Sequence, residues 1–266
     1  MGKEKIIPTF VIVIIIVVGG ILFRGQIAAA SWFVFKNPTL TLLLDHEASR
    51  ALSIGNYYFN TNGQGAYDLE KARFYFEKAL SIDANVPDAW HQLARIDFLE
   101  SHFDGALSKI NKQIELHGDN FMASFYMRGL IHGYRKEYAE AEQDFLKFIS
   151  WDKKNWAAWN DLAWVYFEQG KFKEAKKAAH EGLLFDANNP WLWNMVGVSL
   201  MNLGKPDAAG AAFLKALEEA RTLTEDRWHM AYPGNNPMLA GQGLEKIKGS
   251  IQYNLALVSK NSSFLR

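Results

Sequence analysis

Residues 159–179 read WNDLAWVYFEQGKFKEAKKAA, and residues 193–213 read WNMVGVSLMNLGKPDAAGAAF. The second stretch begins 34 residues after the first, and both open on tryptophan and asparagine. Four residues after each tryptophan comes a small residue, Ala163 or Gly197. Gly170 and Gly204 follow, each just before a lysine, and then Ala175 and Ala209. The same beat extends outward. Ala72, Ala106, Ala141, Ala175 and Ala209 lie 34, 35, 34 and 34 residues apart. Trp90, Phe125, Trp159 and Trp193 keep the same time, with Ala94 and Gly129 completing the small-residue row. A fixed period of this length means stacked supersecondary units, and 34 residues suits a pair of helices. Alanine and glycine mark where two helix backbones approach closely, and the aromatics plug the gap between neighbouring units. Such an array presents a long curved surface in place of a catalytic pocket.

Composition narrows the function classes. The chain is 49% hydrophobic and 22% charged, so it can bury a core and does not read as disordered. Lysine plus arginine equals aspartate plus glutamate, at 29 each, which gives no general pull toward nucleic acid or acidic lipid. There is no cysteine, which removes disulfides, thiolate metal sites and cysteine nucleophiles.

The N-terminal region stands outside the repeat register. Ile6 to Phe23 is 18 residues without a charge, IIPTFVIVIIIVVGGILF. At about 1.5 Å per residue it would span roughly 27 Å, close to a bilayer's hydrocarbon core. Its apolar length exceeds that of a usual cleaved signal, so the expectation is an uncleaved anchor contacting the lipid bilayer through residues 6–23. Lys3 and Lys5 precede the run and favour a cytoplasmic N-terminus, with the repeats extracytoplasmic. Arg24 and Lys36 argue against that orientation.

The remaining organisation follows from caps and breakers. Residues 1–5 form a short tail, 6–23 the membrane segment and 24–37 a juxtamembrane linker. Asn37-Pro38 reads as a helix start, with asparagine as cap and proline in the first turn. Five helix pairs are expected over 38–221, with an interhelix loop around Thr61 to Gly65. Gly170 and Gly204 are expected to be left-handed residues ending first helices. After Arg221 the period breaks, and 222–243 reads as an insertion whose prolines and glycines make Pro233 to Gly243 a loop. Tyr253-Asn254-Leu255-Ala256 looks like the opening of a sixth unit. A helix over 244–260 should therefore cap the array, leaving 261–266 as a tail.

Trp159-x-x-Leu162-Ala163-x-x-Tyr166 followed by Ala175 resembles the tetratricopeptide repeat. Trp193-x-x-Val196-Gly197 followed by Ala209, Phe213 and Ala216 resembles it equally. The resemblance covers about Leu42 to Arg221 and implies an all-α solenoid. Two departures stand out. Ala84, Gly118, Lys153 and Ala187 occupy places where the family often has proline, and Ile110 and Ala179 stand where it favours an aromatic.

The resemblance also implies that the first helix of each pair lines a concave face. Residues just past each aromatic, and one turn later, should point into it. They are His91, Arg95 and Phe98; Tyr126, Leu130 and Tyr134; Asn160, Trp164 and Phe167; and Asn194, Val198 and Met201. The asparagines suit an extended peptide backbone and the aromatics suit apolar anchors. Nothing in the sequence reads as a catalytic constellation, a metal site or a cofactor loop, and no nucleic-acid partner is expected. The reading is a membrane-anchored scaffold or chaperone-like adaptor for a protein or extended peptide. Two alternatives remain at this level: a structural subunit of a membrane complex or filament, and a non-catalytic regulator within an enzyme complex.

Overall fold

The computed structural model describes residues 47–59, 67–231 and 235–263. The expected membrane segment 6–23, the linker 24–37 and the helix start at Asn37-Pro38 lie outside the described residues. Among the described residues, no helix is long and apolar enough to cross a membrane. All regular structure described is helical: twelve α-helices and two short 3₁₀ turns.

Ten of the helices form five antiparallel pairs. They are α1 (Ala48–Phe59) with α2 (Leu69–Ile82), α3 (Ala89–Leu99) with α4 (Phe103–His117), α5 (Ala123–Tyr134) with α6 (Tyr138–Trp151), α7 (Trp156–Glu168) with α8 (Phe172–Leu183), and α9 (Pro190–Asn202) with α10 (Pro206–Ala220). Each pair packs on the next, so the core runs the length of the stack instead of closing on itself. Local chemistry fixes the starts. Asn155 and Asn189 cap α7 and α9 by accepting the backbone N–H of Ala158 and Leu192, each at 3.1 Å, and Pro190 follows its cap directly. The turns within the last four pairs carry a left-handed residue. Gly170 (φ 73°) and Gly204 (φ 70°) behave as expected, while Ser101 (φ 62°) and Lys136 (φ 64°) hold the same conformation without glycine's freedom.

The five periodic alanines are fully buried. The small-residue row has a partner the period alone does not reveal. Gly55, Gly129 and Gly197 each lie against a phenylalanine of the second helix: Phe76, Phe145 and Phe213. A Cβ placed on Gly197 would come within 2.4 Å of the Phe213 ring. Where the slot holds alanine, at Ala94 and Ala163, the equivalent second-helix positions are Ile110 and Ala179, and all four are fully buried. The departures from the family pattern are thus volume compensation: a methyl on one helix is matched by a smaller side chain on the other.

A similar exchange accounts for the missing prolines. The indole N–H groups of Trp90, Trp159 and Trp193 donate to the carbonyls of Ala84, Lys153 and Ala187, at 3.3, 2.9 and 2.8 Å. The tryptophan closes the inter-unit turn that a proline would otherwise stiffen. Phe125 has no such donor, and its unit is entered through a 3₁₀ turn, Gly118–Phe121.

The stretch 222–243, in its described residues, is helical from Pro237 onward where a loop is expected over Pro233 to Gly243. It holds α11 (Glu225–Ala231), and the capping helix α12 runs from Ala240 to Ser263, starting ahead of the expected residue 244. Trp228 explains both. It is buried among Trp191, Ala240 and Leu244, and its indole lies on the backbone at Gly243, where a Cβ would sit 2.1 Å from Nε1. Leu244, Ile251 and Val258 of α12, seven residues apart, are all buried in the cluster that contains Phe213 and Ala220 of α10. An ion pair from Arg227 to Asp186 (2.5 Å) ties α11 back to the fourth unit.

Candidate functional site

Residues along α3, α5 and α7 and at the start of α9 surround one cavity of about 660 Å³. Its walls are aromatic: Phe98, Tyr126, Tyr134, Phe148, Trp156, Trp164 and Trp191. Tyr134 and Trp164 meet with centroids 5.5 Å apart, Tyr126 and Phe148 at 5.2 Å, and Trp156 stacks on Trp191 at 5.5 Å. The Trp164 ring lies on Gly133, where a Cβ would come within 2.6 Å of it. Ala231 and Asn235, at the end of α11 and beyond it, also line the cavity. The insertion therefore both covers apolar surface and contributes to the groove.

Polar groups interrupt these walls at a few points. His91 is buried, with Nδ1 3.2 Å from the Ser124 hydroxyl; burial, and then the Arg95 charge, hold it neutral with a pKa of about 3. Arg95 donates to Gln92 (2.7 Å) and lies over the Phe59 ring, 4.5 Å from its centroid. Burial brings it down to about 10, opposed by the negative charge of Asp88. Asp161 accepts a hydrogen bond from the Tyr126 hydroxyl at 2.5 Å and a longer one from the Asn160 amide at 3.4 Å. Burial pushes its carboxyl up to about 6, and those two bonds offset only part of the effect. Tyr134 is raised too, by burial and by the Asp161 charge.

Nine of the twelve expected residues line this cavity: His91, Arg95, Phe98, Tyr126, Leu130, Tyr134, Asn160, Trp164 and Asn194. Phe167 packs instead on Phe172, with centroids 5.4 Å apart. Val198 and Met201 pack against the cluster built by α10 and α12. The Asn194 side-chain oxygen, expected to be available to a peptide, accepts a hydrogen bond from the Asn254 side-chain amide of α12 at 3.1 Å. Asn254 follows Tyr253 as Asn160 follows Trp159 and Asn194 follows Trp193, so α12 stands as the first helix of an incomplete sixth unit. Asp161, Trp156, Trp191 and Met195 also line the cavity, although the repeat pattern did not single them out.

A second cluster, Asp97, Glu100 and His102, brings three ligand atoms within 4.8 Å of one another. Arg73 pairs with both carboxylates, at 2.7 and 2.6 Å, and Lys109 also pairs with Asp97. Its charge is balanced by the protein's own cations.

The tetratricopeptide repeat family matches residues 135–198, and again 68–86 and 192–222. Over those residues the chain carries tetratricopeptide repeats. Among solved structures, the repeat array is similar to a MamA protein, at 20% identity over 65% of this chain and 92% of that one, with a TM-score of 0.55. A MamA of Desulfovibrio magneticus has a TM-score of 0.58 at 17% identity, over 66% of this chain and 96% of that one. YrrB, described as a tetratricopeptide repeat protein with an unusual peptide-binding site, has a TM-score of 0.56 at 16% identity, over 73% of this chain and 96% of that one. These likenesses establish the all-α repeat fold. Among curated proteins, a lipoprotein NlpI homolog of Haemophilus influenzae is 31% identical over 102 residues, 38% of this chain and 31% of its own length. The tetratricopeptide repeat-containing protein trd-1 of Caenorhabditis elegans is 21% identical over 160 residues, 60% of this chain and 21% of its own. The matched regions thus span less than a third of either relative.

Proposed function

We propose that this protein is a non-catalytic scaffold that holds an extended peptide or protein segment in the groove of its repeats, tethered to a membrane by residues 6–23. The observation that carries the reading is the cavity itself. First helices of successive units build it, its walls are aromatic, and its polar groups sit at separated points, as an extended chain with alternating side chains would need. The peptide-binding site named in the description of YrrB agrees with this use of the fold. The uncharged run from Ile6 to Phe23 supports the tether, and Lys3 and Lys5 support repeats facing away from the cytoplasm.

Photo-crosslinking in cells tests the groove. A photoreactive residue replacing Leu130, in the cavity wall, should give a discrete adduct. The same residue replacing Leu184, which is 75% exposed, should not. The triple variant Asn160→Ala, Trp164→Ala and Asn194→Ala should lose the Leu130 adduct while keeping its helical circular dichroism. Adducts from Leu184 alone would move the site off the groove.

A further inference from the structure

We propose that the groove takes a peptide bearing a lysine or arginine side chain, with its cation seated on Asp161 between Tyr126, Tyr134 and Trp164. This inference rests on the peptide-groove reading above and names what the groove selects.

Asp161 lacks the counter-charge that the other desolvated aspartates have. Two aspartates of the array, Asp97 on α3 and Asp144 on α6, are buried, and Asp161 on α7 is half-buried in the cavity wall. Asp97, 3% exposed, pairs with Arg73 and Lys109, and Asp144, 5% exposed, receives two bonds from Arg128 at 2.7 and 2.8 Å. Asp161 has only neutral donors, the Tyr126 hydroxyl and the Asn160 amide, and among the described residues no lysine, arginine or histidine pairs with it. A desolvated carboxylate without a cation is costly, and folds normally retain one only where it is paired or used.

The register of Asp161 in the repeat is also unusual. Asp161 stands two residues after the periodic aromatic, and the same place in the other units holds Gln92, Met127 and Met195. Met127 and Met195 line the cavity as Asp161 does, so packing accepts a neutral side chain there. The negative charge is particular to this unit.

The surrounding wall suits a cation. Tyr126, Tyr134 and Trp164 present electron-rich rings beside the carboxylate, and such rings attract an ammonium or guanidinium. A bare metal ion finds one carboxylate here and otherwise amide and aromatic groups, a poor set for a hard cation. At Asp161 an acidic side chain would meet like charge; the cation that also lines the cavity, Arg95, donates to Gln92 and is offset by the Asp88 charge at the start of its own helix. A seated ammonium would also draw the Asp161 carboxyl back down from about 6, so cation and carboxylate would favour each other's charged form.

The test uses a random peptide library selected on the full chain in detergent, followed by fluorescence anisotropy of the recovered peptides. Wild type, Asp161→Asn and Trp164→Ala are compared, each with peptides in which the basic residue is replaced by glutamine. Expected are peptides sharing a lysine or arginine at one register. Asp161→Asn and the glutamine peptide should each weaken binding about ten-fold or more, with little further loss when combined. Peptides that need Trp164 yet show no shared basic residue and ignore Asp161→Asn would overturn this inference while leaving the groove reading intact. Peptides indifferent to both variants, or no peptides at all, would overturn both. Asp161→Asn keeps the neutral shape of the site, so its thermal unfolding separates lost recognition from lost folding.

Discussion

Replacing Asp161 by asparagine should make the protein more stable, by an amount that depends on pH. The carboxyl sits at about 6 in the folded protein against an ordinary value of 3.8. Between those values the folded protein holds a proton that the unfolded chain has released. Stability therefore falls as pH rises through that window and stays lower above it. At about 1.36 kcal/mol per pH unit, the cost of the charged Asp161 levels off near 3 kcal/mol at pH 7.5. It falls to roughly half that at pH 5 and fades out below the unfolded value. Asparagine at this position is never charged and keeps an oxygen to accept the Tyr126 hydroxyl. It gives up only the longer bond from Asn160. The gap between variant and wild type should follow the same curve, in the variant's favour. Urea unfolding at pH 7.5, 5 and 4 measures it, read by far-ultraviolet circular dichroism so that all helices are counted. Comparison within each pH cancels the other carboxylates. A gap that stays constant across the three values, or a variant less stable at pH 7.5, would refute the reasoning.

Three further predictions concern packing and backbone. Gly197→Ala should cost about 1–3 kcal/mol by overpacking against Phe213; in a Phe213→Ala background the same change should cost almost nothing, since it recreates the Ala163–Ala179 pair. Additive losses in that double-mutant cycle would mean that the two residues do not share a slot. Lys136→Gly should raise stability by about 0.5–1 kcal/mol, because an exposed lysine there holds φ at 64°; an unchanged urea midpoint would show that the turn carries no strain. Gln113 is fully buried with neither its amide nitrogen nor its oxygen hydrogen-bonded, so Gln113→Met should stabilise by about 1 kcal/mol, and a lowered melting temperature would show that the amide has a partner in solution.

The period made the helix pairs legible because it reports the closest backbone contacts, and those recur in every unit. Each periodic alanine is buried without remainder for that reason. What the period could not show is how one row answers another. Gly55, Gly129 and Gly197 face phenylalanine while Ala94 and Ala163 go with smaller residues, and a row read alone makes Ile110 and Ala179 look like lapses. The tryptophans misled in the same direction. Their spacing identifies a plug, but nothing in the spacing says that the indole reaches a carbonyl six residues earlier. The C-terminal region was hidden by distance. That Val198, Met201 and Asn194 are engaged depends on α12 arriving about 60 residues later in the chain, and no local pattern announces it.

Asp161 escaped for a different reason, and the reason bears on function. Reading a repeat means trusting what its units have in common, so a residue peculiar to one unit counts as noise. Packing explains the common residues: alanine, glycine and aromatic slots would serve any array of this fold. A desolvated carboxylate without a cation serves no packing need, and its raised pKa means that, once charged, it destabilises the array that holds it. Sites that work against stability while their surroundings obey every packing rule are where selection for use leaves a trace. The pH dependence and the peptide selection therefore bear on one claim from two sides. If Asp161 destabilises the empty protein and a basic side chain recovers that cost on binding, both should respond to the same single substitution, in opposite directions.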